Sequence, residues 1–347
     1  MAQSFDDEKK QGIWTERAYL SGKGFMKPVF DGNNRIIICS DYDRGFKGIE
    51  CYDCEIIEQY PKNAKPRYAA CAFDNKNNVI YIYGGEYITF LKYNLSTKIY
   101  EICVNENGWF KNGYLSKYNV IKTGSSPSSI LVNNIWHIVG GRYNNYHIIM
   151  NINDPKPYFR QIYQFKDFKY NYGSRIIYSH SSNQFILMGG YCDGEYIDSI
   201  YTLNNFDPSN TKWVKIKKTL PKKMYGFGAI IVKQFIVVFG GYVNYRDSYN
   251  HIYYCDIESF KWNESYIKCP NKGKCYSILN KVMDKDDDRT WSIIFGFIRM
   301  GLNKKNIPKV IVKLILNFIE SRYVVHLFNF EKPSHHIINV KDIIAQV

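Results

Sequence analysis

The doublet Gly-Gly recurs four times, at Gly84-Gly85, Gly140-Gly141, Gly189-Gly190 and Gly240-Gly241, each time directly behind a short run of β-branched and aromatic residues. The runs read VIYIYGG, IWHIVGG, QFILMGG and FIVVFGG, and the steps between doublets are 56, 49 and 51 residues. An unbroken apolar run of this length is how a strand buried on both faces reads. Glycine behind it points to a sharp turn in a crowded place, because glycine reaches positive φ without steric cost and lets backbones approach.

A period near fifty leaves room for four strands per unit and predicts an all-β fold of propeller blades rather than a helical solenoid. The phase extends both ways. Upstream, Arg35 to Ser40 is an apolar run with Cys39-Ser40 where a doublet would stand; downstream, Trp291 to Phe297 keeps a single glycine, Gly296. Six blades are expected near 24–62, 63–110, 111–168, 169–222, 223–272 and 273–347, with 1–23 as an N-terminal segment. Degenerate end units fit an array whose termini cap or close it. Trp14 to Leu20 reads as an outer strand and is expected to pair with the last blade; the strand His336 to Val340 is the other candidate for closing the ring.

The later strands of a unit are legible too. Behind Gly240-Gly241 come a polar loop, the strand His251 to Asp256, a turn at Glu258-Ser259 and then Trp262; unit four repeats this with Asp198 to Tyr201 and then Trp213. Unit two has Tyr93 with Tyr100 in the Trp position, and units one, three and six lack the Trp. The pattern resembles the kelch repeat. The resemblance implies a six-bladed kelch-type β-propeller.

One segment departs from the β pattern. From Asn306 to Glu320, Ile307, Val310, Ile311, Leu314, Ile315, Phe318 and Ile319 fall at amphipathic-helix spacing, with Asn306 as N-cap and Pro308 in the first turn. A helix over 306–320 is therefore expected inside the last blade. It either packs on its own propeller or docks a partner; its Ile-Pro opening resembles the first helix of an F-box, which implies a ubiquitin-ligase component as partner.

Composition narrows the function. No run approaches the roughly 18 apolar residues of a membrane span, and Met1 to Lys10 lacks the apolar stretch of a signal peptide, so a cytoplasmic location is expected, with the nucleus as alternative. Nine cysteines in such a setting are expected buried and reduced. Cys51 and Cys54 have metal-ligand spacing without a second such pair, Cys269 and Cys275 flank a Lys-rich turn, and adjacent His335 and His336 on a strand face opposite ways. No metal or cofactor is expected.

The formal charge of +14 is spread through lysine clusters such as Lys215, Lys217, Lys218, Lys222 and Lys223. A nucleic-acid binder using this basic surface is one alternative. Enrichment in Asn, Ile, Lys and Tyr along the whole chain favours solvated turn lysines, with a preference for acidic protein partners. Enzyme readings are a second alternative. Kelch-like propellers resembling galactose oxidase hold copper with converging Tyr and His, whereas the seven His here are scattered, and Gly-x-Ser-x-Gly, P-loop and His-Glu-x-x-His motifs are absent. A metal-dependent oxidase or a sugar-acid epimerase-like activity are the catalytic options; the expected function is non-catalytic.

What remains is a protein-binding module, a scaffold or adaptor whose loops line one propeller face. Directly behind the doublets stand Arg142, Tyr143, Asn144, Tyr191, Tyr242 and, further on, Arg246; Arg67 leads into the second blade. Tyr and Arg are enriched at interface hot spots. Gly-Gly-Arg-x-Asn resembles the post-doublet motif by which kelch domains of ubiquitin-ligase adaptors hold peptide carboxylates, which implies an Arg142 fork for an acidic protein segment.

Overall fold

The computed structural model describes residues 66–106, 124–232, 234–243 and 250–268, apart from 67, 75, 85–87, 143, 155–158 and 168–169. It also describes the backbone of strands at 15–19, 29–30, 36–39, 48–51, 56–59, 275–281, 323–329 and 334–339. The helix expected over 306–320 lies outside these residues. The described residues are all-β, arranged as antiparallel sheets and without a helix.

Strand β1 (Thr15–Tyr19) comes first in the sequence. One sheet follows in hairpin order as β2 (Val29–Phe30), β3 (Ile36–Cys39), β4 (Gly48–Cys51) and β5 (Ile56–Gln59). The next is β6 (Ala70–Asp74), β7 (Val79–Tyr83), β8 (Ile88–Asn94) and β9 (Ile99–Glu106). The third is β10 (Ser128–Val132), β11 (Ile135–Val139), β12 (Tyr146–Asn151) and β13 (Arg160–Gln164). In the fourth, β14 (Asn171–Tyr172) and β15 (Arg175–Ser179) both pair with the long β16 (Gln184–Cys192), followed by β17 (Glu195–Asn204) and β18 (Val214–Thr219). The fifth is β19 (Gly228–Val232), β20 (Phe235–Phe239), β21 (His251–Asp256) and β22 (Trp262–Lys268). The last joins β23 (Cys275–Lys281), β24 (Tyr323–Asn329) and β25 (Ser334–Asn339), and β1 completes its edge beside β25, with Thr15 opposite Ile337 and Tyr19 opposite Ser334.

The apolar runs are unbroken because both faces of the second strands are covered. Tyr81 and Tyr83 of β7 share a core with Trp136 and Ile138 of β11, while Ile80 and Ile82 enter a different one. Val139 packs with Phe185 and Leu187 of β16, whose Ile186 and Met188 turn instead to Ile236 and Val238 of β20. Alternate residues thus fill two successive cores between neighbouring sheets. The first strands adjoin in series: β2 meets β6, β6 meets β10, β10 meets β15, β15 meets β19, β19 meets β23, and β23 meets β2.

Gly84 and two of the doublets directly follow second strands, and one doublet falls within its strand. Gly140 and Gly240 directly follow β11 and β20, and Gly189-Gly190 fall inside β16. Gly141 N–H donates to the Asn171 carbonyl at 2.7 Å, and Gly190 N–H to the Met224 carbonyl at 2.8 Å. The second glycine of a doublet thereby holds the leading segment of the next sheet, at φ 113° and 117°, outside the range L side chains favour.

A second set of left-handed residues lies two positions before the first strands: Tyr68, Ser126, Gly173 and Gly226, with φ between 53° and 66°. Their backbones are linked in series. Ser126 N–H donates to Tyr68 O at 2.8 Å, Gly173 N–H to Ser126 O at 3.0 Å, and Gly226 N–H to Gly173 O at 2.8 Å. Ser128 and Ser129 reinforce the same seams, their hydroxyls donating to Ser174 O at 2.7 Å and Cys71 O at 3.3 Å.

Between the third and fourth sheets, His137 and His147 are buried together, Nδ1 of His137 lying 3.1 Å from Nε2 of His147. Trp213, just ahead of β18, donates its indole N–H to His147 Nδ1 at 3.1 Å. An indole N–H only donates, so neutral His147 carries its proton on Nε2 and donates to His137 Nδ1. Burial drives His137 down to about 3, and burial followed by its neighbour drives His147 well below the ordinary imidazole value. Both rings are therefore neutral in the folded protein. Such lowered pKa values leave stability intact above about pH 6.5 and erode it as pH falls toward 3, because the unfolded chain then binds the extra protons. His137 alone is expected to remove about 2 kcal/mol of unfolding free energy between pH 7.5 and pH 5. Denaturant unfolding at both pH values should show this loss, and His137→Gln should reduce it; an equal loss in the variant would contradict the assignment.

Candidate functional site

The turns that lead into the first strands and the loops behind the doublets meet at one end of the sheets, and there the fourth and fifth sheets assemble tyrosines. Ladder pairing sets their places. Tyr172 of β14 lies opposite Tyr191, and Tyr191 opposite Tyr196 of β17. Tyr225 and Tyr242 exchange both backbone hydrogen bonds at 3.0 Å. Tyr225 is the hub, with ring centroids 5.2 Å from Tyr196, 5.4 Å from Tyr242 and 6.3 Å from both Tyr172 and Tyr191. Tyr172 and Tyr191 are 5.2 Å apart, and Tyr170 extends the array beside Tyr172. Tyr191 is buried as its floor, while the other five rings are partly exposed.

Cations border this array. Arg142 is exposed, and its backbone N–H donates to Ser125 O at 2.8 Å, fixing the loop to the turn that carries Ser126. It follows Gly141, which bridges Asn171 beside Tyr172. Lys222 and Lys223 are exposed just ahead of Tyr225, with Lys223 Nζ 3.7 Å from Glu195. Below the rim, Arg175 at the start of β15 is buried and donates from Nη1 to Ser174 O at 3.1 Å.

The residues singled out from sequence therefore part company. Tyr191 and Tyr242 join the array, and Arg142 stands on the same rim. Asn144 is only 3% exposed; its Oδ1 accepts the Tyr146 N–H at 2.7 Å and its own N–H donates to Gly141 O at 3.0 Å. That carboxamide closes the loop presenting Arg142, as an Asx turn does. It is a positioning residue. Tyr143, Arg246 and Arg67 lie outside the described residues, as does Gly85 of the structural glycines. Tyr170, Tyr172, Tyr196, Tyr225 and Arg175 are not among the residues the sequence singles out, although Tyr-Gly at Tyr172-Gly173 and Tyr225-Gly226 recurs in phase with the doublets.

The array combines edge-on ring pairs such as Tyr191–Tyr196 with the stacked pair Tyr170–Tyr172, and exposed cations stand in the segments joined to it, a surface for recognition. Next to it, burial and then Asp193 push the Cys192 thiol up to about 12, so it stays protonated near neutral pH and is a poor nucleophile. Cys71, Cys192 and Cys255 are buried free thiols. Among the described residues, no three His, Cys, Asp or Glu side chains converge as metal ligands would.

No protein-family model and no curated protein matches the chain. The solved structure of YjhT superposes with a TM-score of 0.54 at 13% identity, covering 75% of this chain and 90% of that one. At that identity the similarity is one of fold.

The glycine beneath the array is open to a direct check. A Cβ on Gly190 would overlap Asn171 Oδ1 and lie 3.1 Å from Ser174 Cβ, whereas one on Gly194, in the adjoining hairpin turn, would meet nothing within 4 Å. Both carry positive φ, so only space separates them. Gly190→Ala is expected to cost about 3 kcal/mol and Gly194→Ala about 1 kcal/mol in chemical denaturation. Equal costs would mean that Gly190 is not a close-approach site.

Proposed function

We propose that this chain is a six-bladed, kelch-type β-propeller acting as a non-catalytic binding module, and that its tyrosine-lined rim holds an acidic protein segment. The serial meeting of first strands, from β2 round to β23 and back to β2, supports a closed ring, as does the edge position of β1 beside β25. The observation that carries the functional reading is the partly exposed tyrosine array bordered by Arg142, Lys222 and Lys223. A rigid scaffold that presents Tyr and Arg together suits hot-spot recognition. The overall charge of +14 favours the approach of an acidic partner.

The division of labour follows from desolvation. An Arg fork covered by its partner loses a carboxylate's two hydrogen bonds when truncated, whereas lysines on the outer strand β18 remain in water. Measured by fluorescence anisotropy against a labelled glutamate-rich peptide, Arg142→Ala is expected to cost about 2 kcal/mol, roughly thirtyfold in affinity. Lys217→Ala with Lys218→Ala should cost less than about threefold. If the lysine pair abolishes binding while Arg142→Ala leaves it intact, the binding surface is elsewhere.

A further inference from the structure

The loop that presents Arg142 leaves β11 and enters β12, and a buried histidine stands at each foot of it, His137 on β11 and His147 on β12. The two rings and Trp213 form one directed relay: the indole N–H donates to His147 Nδ1, and His147 Nε2–H donates to His137 Nδ1. Both acceptor nitrogens already receive an N–H, so a proton added to either ring sets donor against donor and breaks a link. Those links tie the foot of the loop to the outer part of the fourth sheet. Tyr163 of β13 pairs with His147 across the ladder, and Tyr178 of β15 packs on Phe185, the ring beside His137. Tyr201, bonded to Asp167, lies across Phe165 from Trp213, and Arg160, Asp207 and Lys212 on the packed segments are exposed to water. Among the described residues, no carboxylate stabilises a charged form of either histidine.

We propose that this relay is an acid latch on the rim: proton uptake by the histidine pair frees the foot of the Arg142 loop from the fourth sheet, and the rim releases its acidic segment. The release step rests on the acidic-segment reading above; the opening of the seam does not. The inner edge of the seam has its own ties, Gly173 N–H to Ser126 O and Ser128 Oγ–H to Ser174 O, which hold no titratable group. The seam therefore opens from its outer side while the first strands stay joined. An opened histidine takes up its proton near the ordinary value, which multiplies the open population roughly thirtyfold per ring between pH 7.5 and pH 5. Three buried thiols report on different places. Cys192 shares a core with Val139 and Trp213 and pairs with Asn171, the residue that Gly141 bridges. Cys71 and Cys255 belong to other cores.

The test treats the folded chain with a pyridyl disulfide at pH 7.5 and pH 5, reads each thiol by peptide mass, and measures binding of a fluorescent glutamate-rich peptide at both pH values. On acidification, Cys192 modification is expected to rise at least tenfold relative to Cys71 and Cys255, and peptide affinity to fall at least tenfold. In His137→Gln combined with His147→Gln, the carboxamides can pass on the same hydrogen bonds but take no proton, and both changes should stay within threefold. The peptide's own titration is common to both proteins. Should the double variant not fold, His147→Gln alone is expected to cut the rise at Cys192 at least threefold. Acceleration of all three thiols together, or an undiminished rise at Cys192 in the variants, would overturn the latch. Seam opening with unchanged peptide affinity would overturn its link to the rim. A peptide that does not bind at pH 7.5 would overturn the acidic-segment reading, and Cys192 then decides the opening of the seam alone.

Discussion

A line of backbone hydrogen bonds runs through the leading turns of successive sheets, from Ser126 to Tyr68, Gly173 to Ser126 and Gly226 to Gly173, and the rest of the architecture is spaced by it. Each residue in this line occupies the left-handed region, where its N–H and C=O can serve two different neighbours at once. Two of the four are not glycine. Tyr68 and Ser126 hold a conformation that costs L residues about 1 kcal/mol or more, a strain the surrounding sheets must over-determine. With first strands held in this series, the second strands stand between two sheets, and every alternate side chain has a core to fill.

The same spacing explains both glycines of a doublet. Gly189 faces Phe227 and the Met224 carbonyl of the next leading segment, and Gly190 donates its N–H to that carbonyl. Close packing of one sheet's turn on the next sheet's lead brings Tyr191 to Tyr225 and, through the paired bridge, Tyr225 to Tyr242. The candidate binding surface is thus a consequence of how neighbouring sheets are joined. It is built on ladders and bridges rather than on free loops, which is what a recognition surface of low reorganisation cost requires.

Much of this was legible in the sequence, and what was not has identifiable causes. The doublets and their apolar runs located the second strands, because double-sided burial leaves a continuous hydrophobic imprint. Trp213 was legible as the residue ahead of an outer strand, though not as the indole that orders a buried histidine pair; scattered histidines in sequence carry no sign of meeting. The left-handed line was hidden because Tyr, Ser and two Gly share a backbone geometry and no side-chain chemistry. Four of the six tyrosines of the array lie away from the segments directly behind the doublets: Tyr170, Tyr172 and Tyr225 stand ahead of first strands, and Tyr196 reaches the array only through its pairing with Tyr191. An Asx-turn carboxamide such as that of Asn144 and a surface carboxamide look alike in sequence, and burial tells them apart.

Amide hydrogen exchange at Ser126, Gly173 and Gly226 tests the central claim most directly. All three lie in turns, where amides ordinarily exchange through local opening of small free energy. If their backbone bonds space the sheets, these amides exchange only with global unfolding, at the protection of Trp136 and Ile138 in the core of β11. Exchange at turn rates while β11 remains protected would contradict the account.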